Sequence, residues 1–600
     1  MLANNNSKIH RNFIVITAGI CNHYGSQTLA VLSMNLYQRP VSRAILLTVC
    51  AALFGCSEPN SDGLTVSSIK PNVLLIVADD LGYSDLGIYG SEIPTPNIDA
   101  LARSGALLTN FYANATCAPS RSMLLSGMDS HQVGFGINPS AANRLPVLRG
   151  QPGYSGNWPD NINSFVNQFS DSNYYTFMTG KWHQGSAAEA TPQARGFQKA
   201  FYLQEGGASH FADAAGQTSA AAVASYFDNG EPVAALPDDF YSSEFYVNKV
   251  INYLDDRESE DARPFFGYLA FTAPHWPLQV PTGWLDRFSG AYDEGWEIIR
   301  ERRTESAKRL GLIPQDFTAA PLPSALGSWN DLSSAERRAE ARRMELYAAM
   351  IAFMDDQIGR LVAHLKATGQ YDNTLIVFLS DNGPEGNNIE FGLADNQSWL
   401  PERFDQSYDN MGRVDSYVTF SRGWAHVSAG PLSQYKSFLG EGGVRVPAIF
   451  SYPARIESNR KMQSLMSIMD IAPTLMAFSE VASSPNFEMQ GQSATAQLTA
   501  VDNTNAIRPH LAMETYGNKA VWSDNFKLLW NWQSGDWQLF DIQQDPGETN
   551  DLSGTSSALR DTLVNTFNDY AQTNGVVILE EEVGYARYPD QVEAFSGISP

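Results

Sequence analysis

One cysteine in this sequence stands where it could act as a nucleophile, at the start of the run Cys117-Ala118-Pro119-Ser120-Arg121. Pro119 suits the first turn of a helix, because the N–H that proline lacks makes no hydrogen bond within that turn. The run therefore predicts that Cys117 lies at a helix N-terminus, where free N–H groups favour an anion and lower the pKa of a thiol. A lone cysteine is more often a small buried core residue, so its surroundings decide its role.

Acidic groups follow two continuous apolar runs that predict buried strands. Asp79-Asp80 comes after the run 72–78, and Asp381-Asn382 follows the run 374–379. Ligands of open α/β sheets bind outside the carboxyl ends of the strands. Three carboxylates and one amide suit Ca²⁺ or Mg²⁺ better than zinc. One Asp-Asp pair after a strand is often only a turn or a helix cap, but two such groups predict a metal site.

Basic side chains also lie just after predicted strands or next to a glycine-rich loop. Lys181 and His183 follow a predicted strand, His275 follows another, and Lys436 precedes a glycine-rich loop at 440–447. Each has an ordinary alternative, a hydrogen-bonded core histidine or a surface lysine. The whole chain carries a net charge of −25, which argues against nucleic acid as a partner. An acidic protein that handles an anion needs a local cationic pocket, and these residues would supply it.

The elements around these residues alternate between strands and helices, and the expected helices include one over residues 161–169. This alternation predicts an α/β fold with a large, mostly parallel sheet flanked by helices. Ser333 and Glu336 form a capping-box pattern at the head of a long helix that reaches about Thr368. Beyond about residue 484 the pattern changes to antiparallel strands at 520–532 and 537–542 and a helix from Asp551, which predicts a smaller C-terminal α+β domain.

The first 70 residues predict a leader and a tether. Residues 1–56 contain an apolar run of signal-peptide length that ends Leu53-Phe54-Gly55-Cys56, and Met34 is an alternative start. This ending is similar to a bacterial lipoprotein box and implies lipidation of Cys56. The predicted location is the periplasm or the outer membrane of a bacterium, where the lipid anchor alone would attach the protein to the membrane. The alternative is ordinary signal cleavage, which would give a soluble periplasmic protein. We expect residues 57–70 to form the tether, residues 71–484 the catalytic domain and residues 485–600 the C-terminal domain.

From about Pro71 to Leu552 the chain resembles the type I, formylglycine-dependent sulfatases of the alkaline phosphatase superfamily, close to the bacterial arylsulfatases. The cysteine run carries the resemblance most specifically. The other matching runs are Val77-Ala78-Asp79-Asp80-Leu81-Gly82, Gly180-Lys181-Trp182-His183, Ala273-Pro274-His275-Trp276-Pro277-Leu278, Ser380-Asp381-Asn382-Gly383, Lys436 with its glycine loop, and Asp545-Pro546-Gly547-Glu548. Gln184 replaces the leucine common in the family, and we expect this to affect local packing only.

The resemblance implies hydrolysis of sulfate monoesters, of aryl or carbohydrate type, to an alcohol and inorganic sulfate through a formylglycine-sulfate intermediate. A maturation enzyme would oxidise Cys117 to formylglycine. One Ca²⁺ per active site would be bound by five residues: Asp79, Asp80, Cys117, Asp381 and Asn382. The implied catalytic residues are Cys117, Arg121, Lys181, His183, His275, Lys436 and Asp381.

Two other functions stay open at this point. A phosphomonoester or phosphonate hydrolase of the same superfamily would use the same metal and cations. A non-catalytic glycan-binding lipoprotein would be expected to have lost a nucleophile or a metal ligand, and none is missing here. The substrate is not readable from the sequence, although Phe135, Trp276, Trp399 and Trp424 are candidates for an aryl or sugar subsite.

Overall fold

The computed structural model describes residues 70–257, 261–319, 322–386, 394–500, 506–532 and 534–579. The leader with Cys56 and the tether up to residue 69 lie outside this part of the chain, so lipidation and location stay predictions. The two predicted domain boundaries stay predictions as well. Within the described ranges, no helix combines the length and the apolar character needed to cross a bilayer.

The strands and helices are numbered in chain order. The strands are β1 Asn72–Ala78, β2 Ala106–Leu108, β3 Phe111–Tyr112, β4 Tyr175–Lys181, β5 Lys199–Leu203, β6 Ala215–Thr218, β7 Ala221–Val223, β8 Tyr226–Asp228, β9 Glu231–Pro232, β10 Phe265–Ala270, β11 Thr374–Ser380, β12 Ala448–Ser451, β13 Arg460–Met462, β14 Met466–Ser467, β15 Leu511–Thr515, β16 Asn518–Ser523, β17 Phe526–Asn531 and β18 Asp536–Asp541. The helices are α1 Pro96–Arg103, α2 Cys117–Ser126, α3 Pro139–Ala142, α4 Phe165–Asp171, α5 Ser242–Asp255, α6 Trp296–Arg309, α7 Ser334–Ala367, α8 Ala394–Arg403, α9 Arg422–Ala429, α10 Glu441–Val444, α11 Ile471–Phe478, α12 Thr495–Thr499 and α13 Ser557–Asn574.

The large sheet has ten strands in the order β13-β2-β12-β11-β1-β10-β4-β5-β8-β9. Its five central strands, β11, β1, β10, β4 and β5, are parallel to one another. A separate antiparallel sheet, β15-β16-β17-β18, lies in the C-terminal part of the chain. The predicted fold class is therefore confirmed.

The central strands are continuous apolar runs because both faces of the sheet are covered. In β1, Leu74 and Ile76 belong to one buried apolar cluster, whereas Val73, Leu75 and Val77 belong to another. Alternate side chains thus enter the cores on opposite faces of the sheet. Full burial of each such side chain contributes about 1.5–3 kcal/mol, which fixes the register and with it the level at which every strand ends.

Three boundaries differ from the sequence-based expectation. The helix expected from residue 161 begins at Phe165, because the Ser164 side chain accepts a hydrogen bond from the Val166 N–H and caps it. The single strand expected at 520–532 is two strands, β16 and β17, joined by a turn at Asp524. The helix expected from Asp551 begins at Ser557, because the Asp551 carboxylate accepts the Leu539 N–H at 3.0 Å and so binds to β18.

Candidate active site

Four neighbouring parallel strands end at one level and bring the predicted residues together. In register, Ala78 of β1 pairs with Ser380 of β11, Val77 pairs with Ala270 of β10, and Ala270 pairs with Gly180 of β4. The residues that follow or end these strands are Asp79, Asp80, Asp381, Asn382, His275 and Lys181. The parallel sheet thus delivers acidic and basic groups to the same edge, as expected for α/β folds.

Asp79 and Asp80 are completely or almost completely buried, and each is paired with a lysine. Lys181 Nζ lies 2.7 Å from Asp79 Oδ2, and Lys436 Nζ lies 2.8 Å from Asp80 Oδ1. The Asn382 amide donates to Asp80 Oδ1 at 2.7 Å. Asp80 adopts a left-handed backbone conformation with φ of 64°, which is uncommon for a non-glycine residue and which its many contacts hold in place.

The two carboxyls that flank the centre have opposite pKa shifts. Burial raises the pKa of Asp80, but the charges of Lys436, His275 and Lys181 outweigh it and bring the pKa to about 2. Burial raises the pKa of Asp381 to about 6, and Arg121 opposes this rise only in part. Paired groups with pKa values that differ in this way are typical of sites that move protons.

Cys117 is the first residue of α2, as the sequence predicts, and Thr116 precedes it as the N-cap residue. Its side chain is buried, and Sγ lies 3.9 Å from Asp80 Oδ1. The expected lowering of the thiol pKa is wrong. Burial raises the pKa of Cys117 to about 12, because desolvation outweighs the charges of Lys181 and Lys436.

Arg121 lies one helical turn after Cys117, on the same face of α2. Its Nε donates to Asp381 Oδ2 at 2.8 Å, and Nη1 donates to the Lys181 carbonyl at 3.2 Å. Both side chains of the Arg121–Asp381 pair are fully buried. The helix therefore connects the cysteine to the carboxylate at the end of β11.

The two histidines reach the site in different ways. His275 Nε2 lies 3.5 Å from Asp80 Oδ2, and burial lowers the pKa of His275 to about 3. His183 lies two residues beyond Lys181, where β4 ends, and it has a left-handed φ of 54°. Burial and the charges of Lys181 and Arg121 lower the pKa of His183 well below its usual value.

The donor set fits a hard cation. Ligand atoms of Asp79, Asp80, Cys117 and His275 all lie within 4.8 Å of one another, and all four residues are buried. Asn382 Oδ1 is also buried and has no hydrogen-bond partner among the described residues. An orphaned buried acceptor beside three carboxylates is expected where a cation supplies the missing partner. Oxygen ligands dominate, which suits Ca²⁺ or Mg²⁺.

Sequence reasoning missed three residues that contact the site. Glu385 Oε2 lies 3.2 Å from Lys436 Nζ, the Gln217 amide nitrogen lies 3.1 Å from His275 Nδ1, and the Tyr347 hydroxyl donates to the Asp80 carbonyl at 3.0 Å. Glu385 lies four residues after Asp381, so its closeness in the sequence could have marked it as a candidate site residue. Gln217 and Tyr347 come from a distant hairpin and from α7, and nothing local in the sequence marks them.

Two of the four aromatic candidates for a subsite are core residues. Phe135 and Trp424 are fully buried within apolar clusters. Trp276 and Trp399 both pack near the Tyr417 ring. The centroid of the Tyr417 ring lies 5.6 Å from that of Trp276 and 6.4 Å from that of Trp399.

Gln184 affects more than packing. Its side-chain nitrogen donates to the Ala118 carbonyl at 2.9 Å, and its oxygen accepts from Trp158 Nε1 at 3.2 Å. Gln184 therefore holds the first turn of α2, next to Cys117.

Two family models match this chain. The sulfatase model covers residues 71–481, and the model of the C-terminal region of N-sulphoglucosamine sulphohydrolase covers residues 434–570. The first includes every predicted site residue within the described ranges, and the second includes Lys436 and the C-terminal sheet.

Similar proteins cover most of the chain. An uncharacterized sulfatase of Schizosaccharomyces pombe is 37% identical over 86% of this chain and 96% of its own length. An arylsulfatase of Klebsiella aerogenes is 38% identical over 71% of this chain and 92% of its own length. Among solved structures, Ps i-CgsB in complex with k-i-k-neocarrahexaose matches with a TM-score of 0.61 at 25% identity, over 88% of this chain and 98% of that chain.

Proposed function

Since this chain belongs to the sulfatase family and is a sulfuric ester hydrolase, we propose that a formylglycine formed from Cys117 is its nucleophile. The observation that carries the proposal is the position of residue 117. Its side chain lies at the N-terminus of α2, 3.9 Å from Asp80, within a buried group of carboxylates and cations. A hydrated formylglycine would present a hydroxyl at this point.

A calcium ion fits the same centre. The proposed ligands are Asp79, Asp80, residue 117, Asp381 and Asn382, and the orphaned Asn382 Oδ1 supports the assignment. When bound, such a cation would make the hydroxyl of residue 117 easier to ionise and would attract a sulfate oxygen.

The protein's own side chains would divide the remaining work. Asp381 would accept the proton of the attacking hydroxyl, while Arg121 and Lys181 stabilise the negative charge that develops beside it. His275 and Lys436 would lie toward the departing alcohol oxygen and supply charge or a proton to it. His183 would accept a proton from the second hydroxyl of the hydrated residue 117, so that the aldehyde forms again and inorganic sulfate leaves.

The substrate class we propose is an aryl sulfate or a sulfated carbohydrate. A relative is named arylsulfatase, and a solved structure of similar fold was determined with neocarrahexaose. Export, a lipid anchor on Cys56 and oxidation of Cys117 by a maturation enzyme belong to the same proposal. They are supported by the leader and by the cysteine run.

The nucleophile is tested by mass spectrometry and kinetics on the mature protein. The tryptic peptide 104–121 should carry an aldehyde at residue 117, and Cys117→Ala should fold normally yet release no sulfate. An intact thiol in fully active protein would overturn the assignment. Rates on the sulfate, phosphate and phosphonate esters of one phenol should favour the sulfate; a preference for either phosphorus ester would instead support the alternative hydrolase.

A further inference from the structure

The loop that carries Lys436, residues 433–443, has an unusual backbone. Gln434 and Ser437, on either side of Lys436, have left-handed φ angles of 61° and 80°. Non-glycine residues rarely adopt this conformation unless their surroundings hold them in it. The position of the Lys436 ammonium therefore depends on whatever fixes this loop.

On one side the loop is attached to the active-site strands. The Lys436 N–H donates to the Pro384 carbonyl at 3.1 Å, and the Ser437 N–H donates to the Ala115 carbonyl at 2.8 Å. The Gly383 N–H donates to the Gly443 carbonyl at 2.9 Å. These bonds connect the loop to the segment after Asp381 and to the segment before Cys117.

On the other side the loop is attached to Glu548. One carboxylate oxygen of Glu548 accepts the Glu441 N–H at 2.8 Å and also the hydroxyl of Ser433. Ser433 begins the loop and Glu441 lies near its end, so a single carboxylate holds both ends. Glu548 closes the run Asp545-Pro546-Gly547-Glu548, to which the proposed mechanism gives no role.

Lys527 of β17 fixes Glu548 in turn. Its ammonium lies 2.7 Å from Glu548 Oε1 and 3.1 Å from Glu441 Oε1, and the Lys527 side chain is fully buried. Glu441 also accepts hydrogen bonds from Trp522 Nε1 and the Tyr112 hydroxyl, both at 2.8 Å. Removal of one member of such a buried network destabilises it, because the remaining charges lose a partner.

We propose that Glu548, supported by Lys527, is a positioning residue for Lys436: it fixes the 433–443 loop so that the ammonium faces the departing alcohol oxygen. This inference rests on the leaving-group role proposed above for Lys436. It gives the C-terminal sheet a part in catalysis, although neither Glu548 nor Lys527 is among the residues that contact the proposed nucleophile.

The role predicts a particular kinetic signature. A misplaced Lys436 should matter most when the departing oxygen is a strong base, and a displacement of about 1 Å can cost about 100-fold in rate. Glu548→Ala should therefore lower kcat/KM by about 100-fold for aryl sulfates of high phenol pKa, and much less for para-nitrophenyl sulfate. Glu548→Gln keeps the size of the side chain and serves as the milder variant if Glu548→Ala does not fold.

A double-mutant cycle makes the test specific. If Glu548 acts through Lys436, Glu548→Ala should cost little further activity in a Lys436→Ala background, whereas independent effects would multiply. The matched control is Glu345→Ala. That carboxylate is also buried, accepts the Gly290 N–H at 2.8 Å and pairs with Arg342 at 3.0 Å. It should lower stability without changing the dependence on the leaving group.

Hydrogen exchange separates this inference from the proposed function. Glu548→Ala, or Glu548→Gln in its place, should raise exchange of the 433–443 backbone amides, and Glu345→Ala should not. Unchanged exchange in that loop, or multiplicative losses in the cycle, would overturn the positioning role. Loosened exchange together with a wild type that releases no sulfate would instead contradict the proposed function.

Discussion

At the scale of single residues, Asp80 is the point where the site converges. Cys117, Lys436, His275 and Asn382 all lie against its carboxylate. Its backbone is held in a rare conformation by a hydrogen bond from the Tyr347 hydroxyl to its carbonyl. Strain of this kind persists only where the surroundings over-determine it, so the site is organised before any substrate arrives.

Asp381→Asn tests the proposed base and ligand. The substitution keeps the shape of the side chain but removes the charge that faces Arg121 at 2.8 Å. We expect kcat/KM to fall by about 100-fold or more, as for loss of a general base, and the bound calcium to fall with it. Turnover and metal content of the purified protein are the two measurements.

Asp355→Asn is the control for that experiment. Asp355 is a buried carboxylate outside the site that accepts the N–H groups of Asn97 and Ile98 at the start of α1. The Asp355→Asn variant should be less stable than the wild type, but its calcium content should be the same. Normal turnover and calcium content in Asp381→Asn would contradict both assignments.

The sequence could reveal only those site residues that local patterns mark. Cys117, Lys181 and Lys436 lie in short specific runs, and Asp79 and Asp381 follow apolar strands. Gln217 and Tyr347 reach the centre only through tertiary packing. The predicted direction of the Cys117 pKa shift was wrong for the same reason. The helix N-terminus is a local feature that the sequence shows, whereas the burial that outweighs it depends on tertiary packing.

At the scale of elements, one face of α6 supports the loop that follows β1. Arg303 Nη1 lies 2.6 Å from Asp85 Oδ1, and both side chains are fully buried. The other Asp85 oxygen accepts the Gly82 N–H at 2.8 Å and lies 2.8 Å from the Tyr347 hydroxyl, whose one proton it shares with the Asp80 carbonyl. A helix distant in sequence thus fixes the turn that carries Asp80.

Arg303→Met and Arg302→Met compare the two faces of that helix. Arg303→Met leaves Asp85 buried without its cation, and we expect a loss of about 3–5 kcal/mol in the free energy of unfolding, with reduced activity. Arg302 pairs with Glu294 on the surface, where both side chains are more than half exposed and solvent screens the charges, so its loss should change the free energy of unfolding far less. Denaturant unfolding and sulfate release measure both variants. Equal losses for the two substitutions would show that α6 does not support the site.

Elements with a strong local signal could be predicted, and elements set by tertiary contacts could not. The strands predicted from the long apolar runs of β1 and β11 are confirmed, and so is the helix start predicted from the Ser333–Glu336 capping box of α7. The β16–β17 turn was missed because one apolar run was extended across Asp524-Asn525, although both residues favour turns. The start of α13 was misplaced because Asp551 binds to a strand rather than to the helix.

At the scale of the whole molecule, a buried ionic cluster joins the segment after α2 to the C-terminal sheet. His131 Nδ1 lies 2.9 Å from Asp129 Oδ1, and Nε2 lies 2.9 Å from Glu514 Oε2 of β15. Burial lowers the pKa of His131, but the hydrogen bonds to Asp129 and Glu514 outweigh it and raise the pKa to about 9. The neighbouring hydroxyls of Tyr154 and Tyr570 have raised pKa values, so they stay neutral over this range.

This cluster predicts a pH-dependent stability. The pKa of His131 is higher in the folded protein than its unfolded value of about 6.5, so protonation stabilises the fold. The contribution is complete below about pH 6.5 and is lost as the pH rises through about 9.

His131→Gln should therefore lower the Tm most at pH 6–7, by the equivalent of about 3–5 kcal/mol, since it leaves two buried carboxylates without their cation. Above pH 9 the wild type loses the same charge, and the gap between the two melting curves should narrow. His364→Gln removes a single ion pair whose Asp255 side chain is more than half exposed, so it should lower the Tm far less than His131→Gln does at pH 6–7. A gap between wild type and His131→Gln that stays constant from pH 6 to pH 10 would mean that the neutral ring, and not its charge, joins the two parts of the molecule.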